Sequence, residues 1–314
     1  MDLVTGGLGF IGNELVRQLR RDRPVAILDN RNRVAPRIED LHEVPVHDVD
    51  ITDGAAVGSL VRQLHPERVF HLAAIHYIPE CNADPARTIR VNVEGTLAVL
   101  NACAEAGVRR VVVASSGAVY ADSAAPLTEA VPAAPVDIYG WSKFFAEELC
   151  GWMAHSRGLS IVAARLFNNF GPRETNAHII PEILSQLRRG DVLRLGNITP
   201  IRDYIHTSDT AAALMALADV DEGGFATVNI ATGTGASVRD LVATLGSQLG
   251  RTLRIEFDAA RLRPVDKEKQ VADISLLRRM TGWGPRVTLD GGLKELLAFE
   301  GFATNCAERS GRQA

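Results

Sequence analysis

Tyr139 and Lys143 stand four residues apart in the stretch DIYGWSK, residues 137–143. Four residues is about one helical turn, so in a helix the two side chains share a face. A phenol beside an ammonium can serve as an acid–base pair. A free tyrosine, with a pKa of about 10, is a poor base at neutral pH. A neighbouring cation favours its phenolate form. The same spacing also arises between ordinary helix residues, so the rest of the sequence must decide which reading applies.

A second chemical signal is TGGLGFIG, residues 5–12. Gly6, Gly9 and Gly12 follow an apolar strand and open a helical pattern, the context in which glycines cradle a dinucleotide. Gly6 serves the tight turn, and Gly9 lets the backbone approach a pyrophosphate. Gly12 lets the helix pack on the strand, and the helix N-terminus offers N–H groups and a partial positive charge. Asp29 ends the next strand. A carboxylate there binds ribose hydroxyls and repels a 2′-phosphate, so the expected cofactor is NAD. Arg31 and Arg33 lie close by and would suit a 2′-phosphate instead.

These residues need elements to hold them. DLVTGG, PVAILDN, VPVHDVDITD, ERVFHLAA, RRVVVASS and LSIVAARLFN read as strands. LGFIGNELVRQLRRD, AAVGSLVRQLHP, TIRVNVEGTLAVLNACAEAG and YGWSKFFAEELCGWMAHSRG read as the helices between them. Such alternation predicts βαβ units around a parallel sheet. The nearly all-apolar strands fit a sheet covered on both faces. After about residue 167 the rhythm loosens. NNFGPRETNAHIIP and LGNITPIRDYIHTSD read as long loops, with shorter helices at about 178–189, 207–218, 236–250 and 289–299. The expected fold is α/β, a Rossmann-type doubly wound parallel sheet with a smaller, interleaved C-terminal substrate lobe.

Bulk properties exclude several other classes. The 314 residues are 46% hydrophobic and 23% charged, with a net charge of -4. Basic runs such as RQLRR (17–21) are short, so no nucleic-acid partner is expected. Cys81, Cys103, Cys150 and Cys306 contain no C-x-x-C, which argues against a disulfide framework or a zinc site. No metal is expected, and reduced thiols suit the cytoplasm. The apolar runs are too short to span a bilayer, and no N-terminal signal is expected ahead of the glycine motif.

Taken in order, the motifs resemble the extended short-chain dehydrogenase/reductases that act on nucleotide sugars, the NAD-dependent epimerase and dehydratase family. The resemblance runs over roughly residues 2–300. It implies that TGGLGFIG is the cofactor loop, with Gly6, Gly9, Phe10 and Ile11 against the dinucleotide. Asp29 and Asn30 then lie at the adenosine ribose, and Asp50 and Ile51 of VDITD at the adenine. Leu72, Ala73 and Ala74 of HLAA run along the cofactor. Asn92 of NVEGT supports the active site and is grouped with the cofactor residues. Ser116 of SSGAVY joins Tyr139 and Lys143 as the catalytic set. Asn168 of RLFNNFGP, Arg202 of RDYIHTSDTA and Arg263 of RPVDKEKQVADIS are the implied diphosphate ligands. Residues 1–166 with about 205–232 form the implied NAD-binding domain. Residues 167–204 and 233–304 form the nucleotide-sugar lobe, and 305–314 a flexible tail.

The implied chemistry has Tyr139 take the proton of a sugar hydroxyl while hydride leaves the same carbon. Lys143 bonds the nicotinamide ribose, and Ser116 contacts the same sugar oxygen. Sugar 4,6-dehydratases of the family carry an Asp-Glu pair after the serine. Here those positions are Gly117 and Ala118, which offer neither acid nor base. The glutamate usual in UDP-glucuronate decarboxylases is also missing. What remains is NAD-dependent 4-epimerisation of a UDP-hexose or UDP-uronate, or NAD(P)H-dependent reduction of a nucleotide-linked keto-sugar. A dinucleotide sensor without catalysis would not need Tyr139, Lys143 and Ser116.

Several residues depart from the pattern or extend it. Ala121 replaces a usual glycine, and Glu268 stands where many members have arginine, an acid that would repel a diphosphate. LGNITPIRD resembles dehydratase segments as much as epimerase ones. His76 is a candidate for the sugar pocket, with Tyr77 and Cys81 near its mouth. Glu174 and His178 are further candidates facing the sugar, whereas His206 is assigned to the inner wall of the lobe. The helices at about 86–106 and 140–156 match those that pair across a dimer in this family, so a homodimer through a four-helix bundle is expected.

Overall fold

A computed structural model of the protein describes residues 1–32, 34–35, 39–174, 176–262 and 266–303. The first half builds strand and helix in turn. β1 (Asp2–Thr5) leads to α1 (Phe10–Leu19), then β2 (Val25–Asp29), β3 (Val46–Asp48), α2 (Gly54–Leu64) and β4 (Arg68–His71). Three helical pieces follow: α3 (Ile78–Ala83), α4 (Pro85–Ile89) and α5 (Gly95–Ala106). A single π turn at Arg90–Glu94 joins the last two. β5 (Arg110–Ser116), α6 (Ile138–Arg157) and β6 (Ile161–Leu166) complete this half.

The second half contains β7 (Asn168–Phe170), α7 (Ile179–Leu187), β8 (Val192–Leu195), β9 (Ile201–His206) and α8 (Thr207–Ala218). It continues through β10 (Phe225–Ile230), β11 (Gly235–Ser237), α9 (Val238–Leu249) and β12 (Arg254–Phe257). It closes with β13 (Lys269–Gln270), α10 (Ser275–Thr281) and α11 (Leu289–Phe299).

Among the described residues, seven strands pair in parallel in the order β10-β6-β5-β4-β1-β2-β3. This is the doubly wound, Rossmann-type α/β fold expected from the alternation. The strand order reverses between β1 and β4, and a crevice opens at the carboxyl ends of such strands. Both faces of the sheet are covered, as its apolar strands require. Val4, Ile27, Phe70 and Val162 pack under α1 and α8, while Leu3, Val69, Val111 and Ile161 pack under α2 and α5.

The segments expected to be long loops carry strands. β9 pairs with β7 and β13 in parallel and with β11 antiparallel, and β8 pairs with β12. These strands are short, from 2 to 6 residues, and draw their hydrogen bonds from distant partners. Nothing in their local periodicity announces them. α7, α9 and α11 share a separate apolar cluster with β8 and β9 that includes Ile183, Leu193, Leu241 and Leu293. The expected helices of this region are present. α3 and α10 are additional to those read from the sequence. No helix among the described residues is long and apolar enough to cross a membrane.

Candidate active site

The glycine loop shows why its residue types are needed. Gly6 has φ +70°, a conformation that side chains rarely adopt, and a Cβ there would lie 2.8 Å from the Ala73 backbone nitrogen. A Cβ on Gly12 would come within 2.1 Å of the Gly6 carbonyl oxygen. Gly9 differs: its Cβ would meet only the Gly6 oxygen, at 3.3 Å, and otherwise open space. α1 begins there without a side-chain cap and without an acid in its first turn. Its leading N–H groups are therefore available to an anion. The loop, an uncapped helix and an acid at the end of β2 together fit a dinucleotide.

Asp29 Oδ2 accepts the Leu8 N–H at 3.1 Å, and Oδ1 accepts the Arg31 N–H at 2.8 Å. Burial pushes its pKa up, against these backbone bonds and the Arg31 charge. Asn30 donates to Asp50 Oδ2 at 2.9 Å. Burial alone would raise the Asp50 pKa, yet hydrogen bonds from Thr52 and Asn30 hold it below the usual carboxylate range. A cavity of about 1320 Å³ contains both acids and also Gly6, Gly9, Phe10, Ile11 and Ile51. Leu72, Ala73 and Ala74 line it after β4.

The cavity continues to the proposed reacting groups. Asp137 caps α6 by accepting the Gly140 N–H at 2.8 Å, which starts the helix just ahead of Tyr139. Tyr139, Lys143 and Ser116 all line the cavity. Burial pushes the Tyr139 pKa up to about 12, against the lowering influence of the Ser116 hydroxyl. Lys143 is buried and donates to the Ala114 carbonyl oxygen at 2.8 Å. Burial pushes its pKa down to about 8, against the pull of Cys81, Cys150 and Glu147. The expectation that the ammonium lowers the phenol is therefore not met in the protein alone. Desolvation sets the direction, and what can reverse it is a positive charge brought into the cavity.

Below this pair the helix is fixed by buried polar groups. Arg165 on β6 grips both Glu147 oxygens, at 2.9 and 2.6 Å, and also donates to the Tyr120 hydroxyl at 2.7 Å. Ser115 donates to the same Glu147 oxygen at 2.5 Å. Asn92 lies at the π turn, buried behind the cavity wall. Its Oδ1 accepts the Ile75 N–H and its Nδ2 donates to the Ile75 carbonyl, both at 2.8 Å. It does not line the cavity, so its contribution is to position the loop after β4.

Of the substrate candidates, His76, Asn168 and Arg202 line the cavity. Arg202 also pairs with Asp266 at 2.8 Å. Arg263 falls outside the described residues, as do Arg33, Cys306 and the tail 305–314. Glu268 is exposed and outside the cavity, where its backbone N–H is held by Asp122. It therefore does not set the charge of the pocket. Glu174, His178 and Tyr77 line the cavity, whereas Cys81 and His206 do not. His206 is buried against Phe170, 5.3 Å between ring centroids.

Two wall residues were missed by sequence reasoning. Lys267 donates to the Ala118 carbonyl at 3.3 Å and also to that of Tyr120. Gln270 donates to the Gly117 carbonyl at 3.1 Å. They reach the serine segment only because β13 adds to β9. Their one signal was their place in RPVDKEKQVADIS, the segment singled out for Arg263.

Comparison with known proteins agrees with the geometry. Residues 3–231 match the family model described as NAD dependent epimerase/dehydratase family. A GDP-6-deoxy-D-mannose reductase of Pseudomonas aeruginosa is 31% identical, over 94% of this chain and 95% of its own. A UDP-glucose 4-epimerase of Azospirillum brasilense is 32% identical, over 95% of this chain and 91% of its own. The crystal structure of a Thermus thermophilus UDP-glucose 4-epimerase in complex with NAD superimposes with a TM-score of 0.85 at 30% identity, covering 96% of this chain and 99% of that one. The glycine cradle, the strand order and these matches together show that the chain belongs to the NAD-dependent epimerase/dehydratase family.

Proposed function

We propose that the protein is an NAD-dependent 4-epimerase of a nucleotide-activated sugar, a UDP-hexose or UDP-uronate. The observation that carries this reading is that Ser116, Tyr139 and Lys143 converge on the wall of the cavity that also holds the glycine loop. Gly6, Gly9, Asp29 and Asp50 would hold the dinucleotide. When bound, NAD supplies a hydride acceptor and, in its oxidised form, a positive charge. That charge favours the Tyr139 phenolate, which takes the proton of the sugar hydroxyl with Ser116 on the same oxygen. Lys143, on the same cavity wall, would bond the nicotinamide ribose. Asn168, Arg202 and Arg263 are assigned to the diphosphate, which arginine's planar fork can grip at two oxygens. With the nucleotide anchored, the sugar ring can turn and take hydride back on its other face.

The wall after Ser116 supports one-carbon chemistry. Gly117 and Ala118 line the cavity, and neither can protonate a leaving hydroxyl or remove a second proton. In this reading residues 1–166 with about 205–232 form the NAD-binding domain. Residues 167–204 and 233–304 form the nucleotide-sugar lobe. The protein is placed in the cytoplasm, in keeping with the free, buried thiols of Cys81, Cys103 and Cys150.

A homodimer through a four-helix bundle belongs to the same reading. Trp141, Phe145 and Trp152 are exposed by 42%, 42% and 54% along one side of α6, a stripe that a partner helix would cover. Light scattering on wild type and Trp152→Glu tests it: a wild-type monomer ends the dimer reading.

A second reading, reduction of a nucleotide-linked keto-sugar, is favoured by the relative named as a reductase. Incubation with a panel of nucleotide sugars separates the two. An epimerase inverts C4, keeps the hydrogen on that carbon and shows no net turnover of added dinucleotide. Stoichiometric consumption of NADH or NADPH, with no inversion, would overturn the first reading in favour of the second.

A further inference from the structure

His76, Glu174 and His178 converge in the cavity although they come from two separate loops. His76 lies in the loop between β4 and α3, and the other two lie between β7 and α7. One ligand-capable atom from each falls within 4.8 Å of the others. The His76 and His178 rings are 6.1 Å apart between centroids, and Tyr77 packs edge-on against His178 at 5.7 Å. All three side chains are half-buried and line the same cavity as Tyr139 and Ser116.

We propose that His76, Glu174 and His178 form a binding site for a divalent transition cation of the zinc class, with its remaining coordination positions open to the substrate cavity. Two imidazoles and one carboxylate make a donor set that zinc uses in sites with an open position. Imidazole favours such ions over magnesium or calcium, which take oxygen donors. Zinc holds its ligands at about 2.1 Å in a tetrahedral arrangement, so two donors on one ion stand about 3.4 Å apart. Closing the cluster onto an ion therefore draws the donors together by up to about 1.4 Å, a movement shared among three half-buried side chains on two loops.

The surroundings supply outer support. Asn176 Nδ2 lies 2.8 Å from His76 Nε2, and the Asn176 backbone N–H donates to Glu174 Oε1 at 3.0 Å. An amide's oxygen and nitrogen exchange places by a half-turn. With the oxygen toward Nε2, that nitrogen carries the proton and Nδ1 becomes the ligand. An outer hydrogen bond of this kind orients ligating histidines and raises their basicity. The one residue therefore braces two of the three ligands. An ion here would offer its open positions to oxygen atoms of whatever sugar or diphosphate enters the cavity. The site stands independently of which reaction Tyr139 performs.

The test uses the full chain, stripped with a chelator and titrated with Co²⁺ alone while visible absorption is followed. One equivalent of Co²⁺ should bind with the intense bands of a low-coordinate site, and Zn²⁺ should displace it. His76→Ala and His178→Ala should each weaken binding at least tenfold, as should Glu174→Gln. Asn176→Ala should weaken it by a smaller factor. His155→Ala, an exposed histidine elsewhere, should leave it unchanged. Circular dichroism and thermal melting of each variant establish that it is folded. Where an alanine variant melts early, the glutamine variants of His76 and His178 replace it. Absence of one-to-one binding in the wild type overturns the proposal, and so does equal affinity in the folded His76/His178 double variant.

Discussion

Asn92 and Ser142 meet at 2.9 Å across 50 residues of sequence, the amide of one donating to the hydroxyl of the other. Ser142 in turn donates to the Tyr139 carbonyl at 2.7 Å. The same amide satisfies both backbone groups of Ile75. One buried side chain thus joins Ile75, in the loop after β4, to the first turn of α6. The π turn at Arg90–Glu94 is what carries Asn92, an irregularity often found beside functional sites.

Asn92→Ala leaves the Ile75 N–H and carbonyl without their partner. A buried group stripped of its bond costs about 1–3 kcal/mol. Urea unfolding should show a loss of at least about 2 kcal/mol, with a parallel fall in sugar turnover. A change below about 0.5 kcal/mol, the scatter of ordinary surface substitutions, would falsify the bracing role.

The glycines of the loop separate folding from binding. Ala at position 12 would drive a Cβ to 2.1 Å from the Gly6 oxygen, against backbone that cannot yield. Gly12→Ala should lower stability by about 1–3 kcal/mol or more, as overpacking does. Gly9→Ala meets only one atom, at 3.3 Å, and should melt near wild type while losing dinucleotide affinity. Thermal melts with and without NAD check both. Unimpaired NAD stabilisation of Gly9→Ala would contradict the assigned cradle.

Tyr139→Phe removes the proton acceptor and keeps the ring. Turnover should drop by about 10²–10⁴, the usual share of acid–base catalysis, with NAD still bound. A further signature follows from linkage. Burial pushes the phenol up to about 12. A positive nicotinamide favours the phenolate, so by reciprocity the phenolate favours NAD⁺ over NADH. The ratio of NAD⁺ to NADH affinity should therefore climb with pH above the phenol's pKa in the complex, levelling off above about 12. Tyr139→Phe should remove that climb, leaving whatever slope belongs to Lys143. Identical slopes in the two proteins would place the titrating group elsewhere.

His71 is buried between Thr5 at 2.7 Å and Thr96 at 2.9 Å. Burial, with the Lys143 charge, pushes its pKa down to about 3. The unfolded chain titrates this ring near its ordinary value of about 6.5, so acid protonates the unfolded state first. Stability contributed by the neutral ring is complete above about 6.5 and is lost as pH falls toward about 3. The slope from this one group is at most about 1.4 kcal/mol per pH unit. Comparing denaturation of wild type and His71→Asn across that window measures it. Parallel curves would mean that other groups govern the acid limb.

The parts of this protein that the sequence settles are local. The glycine spacing, the apolar runs of β1 to β6 and the helical repeats of α1, α2 and α6 each depend on neighbours within a turn or a pleat. They are enough to read a doubly wound sheet and to mark Asp29 beside the glycine loop, whereas Ser116, Tyr139 and Lys143 join that site only through the resemblance of the ordered motifs to a known family. The tertiary structure decided what depends on chain brought in from afar. β7, β9 and β13 are strands only because they find each other, and that pairing carries Lys267 and Gln270 to the carbonyls beside Ser116. It also turns Glu268 away from the cavity and gathers His76 with Glu174 and His178. The direction of the Tyr139 pKa belongs to this second group. Spacing gives the distance to a lysine, whereas desolvation depends on everything packed around the ring, and here desolvation is the larger effect.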